Sequence, residues 1–321
     1  MVHGSTLAPP RGPFNAAPWW LRWLLRWARG RSFGQLTATG RRVGRWVYRL
    51  LPLRRWTIVR RNLRRCFPLA SPGARAAIAR GAYESLGAGV FELLGAPRLL
   101  DADASQLEGT VHLEGLEFLE EARSRGRGVV AVTAHLGSFD LCLCASARRL
   151  GGLHVVTRSL SNRGLDAVWQ GLRGSLGVTL HRPEGSLGEL LRALRGGAVV
   201  VLLLDQRTPP SWGGAPLPFF GHPAWTTLAP AVLSARTGAP MLPVRCLRDP
   251  DGAHRVRLER ALEPPGRGRG ARLERMAQLN ATVERWVREA PESWLWLHDR
   301  WRPEGGPPRG APSGGTNPAD L

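Results

Sequence analysis

The 321-residue sequence contains no lysine: all 45 of its basic residues are arginine, and with 25 acidic residues they give a formal charge of +20. So complete an exclusion reads as a codon-usage bias of the source, and arginine richness alone argues for no particular function. Acidic residues are absent from the first 83 positions, which hold 17 arginines; Glu84 is the first carboxylate. Beyond that point 28 arginines stand against 25 acids, so the excess charge is an N-terminal feature. Cysteine is scarce. Cys66, Cys142, Cys144 and Cys246 offer no C-x-x-C spacing, which argues against a disulfide framework or a zinc site and for small buried hydrophobes in a reducing compartment. Long apolar runs are missing too, where a spanning helix needs about 20 mostly apolar residues. The segment 18–27 (PWWLRWLLRW) is cut by Arg22 and Arg26, 128–147 carries a His and an Asp midway, and 208–235 is uncharged but holds six prolines. None of the three reads as a span. No uninterrupted apolar stretch follows the first arginines, as a cleavable signal peptide would require.

What is present is 43% apolar residues and 13 tryptophans, which excludes a wholly disordered chain and suffices for a packed core. The N-terminal tryptophans have a pattern. On a helix, Trp19, Trp20, Trp23, Leu24 and Trp27 share one face and Arg22, Arg26 and Arg29 another. Tryptophan favours the lipid headgroup layer and arginine favours anionic lipid, so the segment reads as an interfacial helix, with packing of the aromatics on the domain as the alternative. The basic run continues from Arg41 to Arg65, which favours the membrane surface.

Residues 1–17 and 303–321 read as disordered by composition, and 18–100 as a basic helical, membrane-associating region broken at Gly30, Pro52 and 68–72. Residues 101–302 read as an α/β domain. Strands are predicted at Val111–Leu116, Gly128–Ala134, Leu153–Thr157, Val178–Leu180, Ala198–Leu204, Met241–Leu247 and Arg255–Leu262. Helices are predicted at 117–125, 139–149, 163–174, 186–195, 224–237 and 271–290. Short, continuously apolar strands separated by helices predict a mostly parallel central sheet flanked by helices on both sides. No internal repeat is present.

In such folds the site lies where parallel strands end. Three predicted strands end in polar residues: one runs into His135-Leu-Gly-Ser-Phe-Asp140, one into Arg158, and one into Asp205-Gln206-Arg207. A carboxylate five residues after a histidine, across a glycine and at a helix start, can turn back onto the imidazole, fix its tautomer and stabilise its cation. That arrangement is a competent general base for a hydroxyl. The alternative is an Asp that caps a helix beside an unrelated His.

The H-x4-D of HLGSFD after a strand resembles the catalytic motif of the lysophospholipid and glycerolipid acyltransferases. Five further blocks narrow the resemblance to the lipid A biosynthesis (late) acyltransferase family: Thr157-Arg158, LLLDQ at 202–206, PFFGHPAWTT at 218–227, ARTGAPMLPV at 235–244 and PESWLWLHDRW at 291–301. They run in the same order over roughly 20–302. One departure is Phe139-Asp140, where many members have an aromatic followed by Glu. A related branch acylates mannosylated phosphatidylinositol, so the acceptor stays open.

The resemblance implies a glycerolipid acyltransferase-like αβ sandwich that transfers an acyl group from acyl carrier protein or acyl-CoA to a glycolipid hydroxyl, at the cytoplasmic face of the cell inner membrane. It implies no cofactor, no metal and no covalent acyl-enzyme. His135 would deprotonate the acceptor and Asp140 would hold and charge-balance His135. Backbone amides near Gly137, or an arginine, would meet the oxyanion. Arg158 would pair a phosphate or the carrier's phosphopantetheine, with a surface salt bridge as the alternative. Asp205 would position Arg158 or the acceptor, or serve as a cap. Phe219, Phe220 and Gly221 would wall the acyl channel or pack the loop, while Trp294 and Trp296 alternate as in a strand and read as core.

Rival classes are weaker. The G-x-S-x-G match at Gly30–Gly34 follows a helical segment and not the strand a serine hydrolase needs. The Asn280-Ala281-Thr282 pattern lies in a predicted helix. Nucleic-acid binding would rest on the N-terminal charge alone, with no reader motif beside it. A non-enzymatic membrane adaptor would not need the His135/Asp140 pair.

Overall fold

The computed structural model describes residues 18–50, 53–249 and 253–302. The readings for 1–17 and 303–321, and the break at Pro52, lie outside these residues.

The described chain begins with helices α1 (Trp19–Arg29), α2 (Phe33–Leu50), α3 (Leu53–Cys66) and α4 (Pro72–Leu94). Then follow α5 (Ala104–Thr110), β1 (Val111–Glu114), α6 (Leu116–Arg123), β2 (Val129–Thr133), α7 (Phe139–Leu150), β3 (Leu153–Val156), α8 (Arg163–Ser175), β4 (Val178–His181), α9 (Leu187–Arg195) and β5 (Val199–Leu203). A hairpin of β6 (Gly214–Phe219) and β7 (His222–Thr227) leads to α10 (Ala229–Thr237), β8 (Met241–Arg248), β9 (His254–Leu258) and α11 (Arg269–Glu289).

Seven strands form one sheet in the order β1-β9-β8-β2-β5-β3-β4, parallel throughout except for the antiparallel β8–β9 pair. The predicted mostly parallel sheet is therefore present. Its central strands explain why a continuous apolar run is needed: along β2, Val130 and Val132 enter one core and Val129 and Ala131 the other. Side chains alternate across a strand, so a sheet covered on both faces must be apolar at every position. The first core is closed by α3, α4, α9, α10, α11 and a tryptophan-rich segment after α11, the second by α5, α6, α7 and α8. Residues 53–94 thus share a core with the sheet.

The α2–α4 contact depends on glycine. A Cβ at Gly40 would lie 2.4 Å from the Gly87 carbonyl oxygen, and one at Gly44 would lie 2.1 Å from that of Tyr83. Only hydrogen at these positions lets the two backbones approach.

One predicted element is corrected. The helix expected over 224–237 starts only at Ala229, because 222–227 pairs with 214–219 as an antiparallel ribbon. Pro216, Pro218 and Pro223 sit in that ribbon, which is separate from the main sheet; an isolated two-stranded pair tolerates residues without an N–H where a central strand would not. Trp294 and Trp296 are buried as expected, but in an irregular segment that meets Leu136 through a single bridge.

Candidate active site

The neighbouring parallel strands β2 and β5 end side by side, with the Leu204 N–H donating to the Thr133 carbonyl. Two residues past β2 comes His135; two past β5 comes Asp205. Register alone makes them meet. Asp205 Oδ1 lies 2.8 Å from His135 Nδ1, while Oδ2 accepts the His135 backbone N–H at 2.9 Å and the Trp294 indole N–H at 2.8 Å. An ionised carboxylate only accepts, so Nδ1 carries the proton and Nε2 presents its lone pair. The Gln206 side-chain amide stands 3.2 Å from Nε2, and Phe139 packs edge-on against the imidazole at 4.7 Å between centroids.

Burial and charge act against each other on this pair. Burial lowers the basicity of His135, but the Asp205 carboxylate, its hydrogen bond and the Asp140 charge outweigh it and hold the imidazole above its ordinary range. For Asp205 burial favours the acid, yet His135 and the Trp294 indole bring it down to about 2.

Asp140 does not hold His135. In the first turn of α7, its Oδ1 accepts from Arg173 Nε of α8 at 2.9 Å and also from Arg173 Nη2. Arg173 further donates to Thr157 Oγ1 at 3.1 Å. A charge-assisted guanidinium pair outcompetes a hydrogen bond to a neutral ring, and Asp205 already occupies Nδ1. The expected direct His135–Asp140 contact is therefore replaced by His135–Asp205 and Asp140–Arg173. Asp140 still acts on His135 through its charge.

Gly137 bends the turn with φ +56°, and its N–H donates to the Ser293 carbonyl at 3.0 Å. That amide is engaged, so of the amides expected near Gly137 to meet an oxyanion this one is already taken. Asp205 positions His135 and makes no bond to Arg158. Arg158 is exposed after β3, with its guanidinium 4.1 Å above the Trp212 ring. Phe219 and Phe220 are buried in an aromatic cluster with Phe67, Trp294 and Trp301. With Gly221 they lie outside the cleft, because large apolar rings gain more from packing on the tryptophan segment than from lining an open wall.

The cleft has a volume of about 660 Å³, and His135, Asp140, Arg158, Arg173, Gln206, Arg207 and Trp212 line it. Phe139, Leu143 and Leu203 form its inner boundary and also border an apolar cavity between α7 and the sheet, walled by Leu113, Leu153, Val201, Leu242 and Val256 among others. A cleft that mixes charged and apolar side chains thus abuts a cavity without charged walls, and the His135 ring packs on the phenylalanine between them.

Several contributors had no motif to reveal them. Arg173 sits in the last turn of α8, one arginine among 45. Arg300 is fully buried and clamps the loop after β5, donating to the carbonyls of Gln206 (2.7 Å) and Trp225 (2.6 Å) and to Thr226 Oγ1 (2.6 Å); burial lowers its pKa to about 10. Its place in the PESWLWLHDRW block was the only sign. Among the described residues no group of three or more His, Cys, Asp or Glu could hold a metal ion.

A sequence model of the family described as bacterial lipid A biosynthesis acyltransferase matches residues 22–303. The lipid A biosynthesis lauroyltransferase of Escherichia coli (strain K12) is 30% identical over 267 residues, covering 80% of this chain and 82% of that protein. The lipid A biosynthesis palmitoleoyltransferase of the same strain is 29% identical over 297 residues, covering 88% and 92%. The phosphatidylinositol mannoside acyltransferase of Mycobacterium tuberculosis (strain CDC 1551 / Oshkosh) is 30% identical over 138 residues, 41% of this chain.

Proposed function

The chain belongs to the bacterial lipid A biosynthesis acyltransferase family, and from that premise we propose that it moves a fatty acyl group from an acyl thioester, acyl carrier protein or acyl-CoA, to a hydroxyl of a lipid A precursor at the cytoplasmic face of the inner membrane. The observation that carries this reading is the His135–Asp205 pair at the junction of a cleft with both charged and apolar walls and an apolar cavity. An amphiphilic acceptor and an acyl chain need those two surroundings on either side of one base.

In this mechanism Nε2 of His135 takes the proton of the acceptor hydroxyl as its oxygen attacks the thioester carbonyl carbon. Asp205 keeps Nδ1–H aligned and balances the imidazolium. Collapse breaks the C–S bond, and the leaving thiolate takes the proton back from His135. The Gln206 amide, 3.2 Å from Nε2, is a neutral donor beside the reacting atoms that can turn to the developing oxyanion. Arg158, braced on Trp212, and Arg207 supply positive charge for acceptor phosphates. The cavity beyond Phe139, about 70 Å³ in volume, can take only a short part of the acyl chain, and the apolar walls of the cleft take the rest.

Two exposed stripes support membrane docking. On α1, Trp19 and Trp23 are 76% and 61% exposed, whereas Leu21, Leu25 and Ala28 are buried against the protein. On α2, Val43, Trp46, Val47 and Leu50 follow helical spacing and all are exposed, with Arg42, Arg45 and Arg49 beside them. Among the described residues no helix is long and apolar enough to cross a membrane.

The test is lipid mass spectrometry of a deletion strain, its parent, and the strain complemented with His135→Ala. A lipid A species one acyl group short in the deletion and His135→Ala strains is expected. Unchanged lipid A would overturn the reading. A missing acyl group on a phosphatidylinositol mannoside would favour the second acceptor, which the partial match to that acyltransferase supports.

A further inference from the structure

One buried carboxylate ties several elements together beside the turn that carries His135. Glu92, near the end of α4, is completely shielded from solvent. Its Oε1 accepts from Thr37 Oγ1 of α2 at 2.6 Å and from Arg248 Nε at 3.1 Å. Its Oε2 accepts from Arg248 Nη2 at 2.7 Å and from the hydroxyl of Ser138. His254 Nε2 stands 3.7 Å away, and the remaining Arg248 nitrogen donates to Ser85 Oγ at 3.0 Å. Two helices, two strands and the turn after β2 thus converge on one charge. A buried charge is tolerated only with its partners in place, so whatever bonds to it is held firmly.

Ser138 is the informative partner. It occupies the N-cap position of α7, where a serine side chain ordinarily accepts from a helix amide. Here its side chain caps nothing and donates to Glu92 instead. The turn also lies against α4: a Cβ at Gly89 would stand at ordinary contact distance from it, 3.5 Å from the Gly137 carbonyl oxygen and 3.7 Å from Ser138 Oγ. Ser138 lies three residues from His135 with the left-handed Gly137 between them, so a shift at Ser138 swings the imidazole relative to Asp205. Glu92 itself does not line the cleft.

We propose that Glu92 is a positioning residue: through Ser138 it fixes the 135–138 turn and thereby the angle at which His135 meets Asp205 and the acceptor. For its kinetic consequence this rests on the acyl-transfer reading; for its spectroscopic consequence it does not.

Ser138→Ala and Thr37→Val each delete one hydroxyl donor to the same carboxylate and leave the Glu92–Arg248 pair intact. A purely structural Glu92 would respond alike to both. The expected result is a similar loss of Tm in the two variants, with kcat reduced about tenfold and KM unchanged in Ser138→Ala alone. His135 titration, followed by NMR of ring-labelled histidine and assigned by the signal lost in His135→Asn, should shift in Ser138→Ala and stay in place in Thr37→Val. Glu92→Gln should repeat the Ser138→Ala kinetics if it folds, and the serine variant decides the matter if it does not. Wild-type kcat and titration in Ser138→Ala, or equal losses in both variants, would overturn the proposal. If the wild-type protein transfers no acyl group, the proposed function fails separately, and the titration still decides: a shift confined to Ser138→Ala upholds Glu92 as a positioning residue, and no shift overturns it.

Discussion

Among the described residues, Nδ1 of His135 has the Asp205 carboxylate as a fixed partner and Nε2 faces the Gln206 amide, which is why Nε2 is the nitrogen proposed to react. It also sets the pH dependence. A base must be neutral to act, and its pKa is raised, so kcat/KM should climb with pH through a midpoint above the ordinary imidazole value of about 6.5. Asp205→Asn should move that midpoint down, and a wild-type midpoint below 6 would contradict the pairing. Linkage gives the sign for stability. Because the folded pKa of His135 is raised, the stabilisation is complete below about 6.5 and fades as pH rises through the folded value; His135→Asn should therefore cost more Tm at pH 6 than at pH 9. In the letters HLGSFD the histidine and the nearby carboxylate were both visible. The true partner was not assignable, because Asp205 is 70 positions away and only the parallel pairing of β2 with β5 makes them neighbours. Sequence proximity pointed to Asp140, whose commitment to Arg173 depends on where α8 lands.

At the scale of elements, apolar runs such as VVAVT and VVVLL could be read directly, since a strand buried on both faces admits little else. The β6–β7 ribbon was hidden by its prolines, and residues 224–228 were absorbed into the helix that follows. The aromatic pair Phe219-Phe220 was expected at the acyl channel, but its surroundings come from the Trp294–Trp301 segment, more than 70 residues later. Helix α2 yields a packing prediction. Gly44→Ala drives a methyl to within 2.1 Å of a backbone oxygen on α4, where neither side can yield cheaply. It should destabilise by about 1–3 kcal/mol in chemical denaturation. Gly73→Ala, whose nearest neighbour would be the Ser71 hydroxyl at 3.9 Å, should be neutral or mildly stabilising. Equal effects of the two substitutions would mean that α2 does not seat on α4 as described.

For the molecule as a whole, charge and aromatic exposure coincide in the first two helices, and the membrane docking proposed above assigns the lipid-facing side to them. Each arginine near an anionic surface contributes about 1 kcal/mol, so vesicle binding should fall steeply with salt. Replacing Trp19, Trp23 and Trp46 together with serine should weaken sedimentation with anionic vesicles while leaving Tm nearly unchanged, since all three are exposed. Undiminished sedimentation would point to another docking face. The central claim is chemical: His135 and Asp205 act as one unit, with Asp140 serving Arg173. Single-turnover rates with an acyl thioester donor test this most directly, measured for Asp205→Asn, Asp140→Asn, His135→Ala and the double variant of His135 and Asp205. The account predicts a loss of at least about 10²-fold for Asp205→Asn, a smaller loss for Asp140→Asn, and a double variant little slower than His135→Ala. A larger loss for Asp140→Asn than for Asp205→Asn, or a fully active His135→Ala, would contradict it.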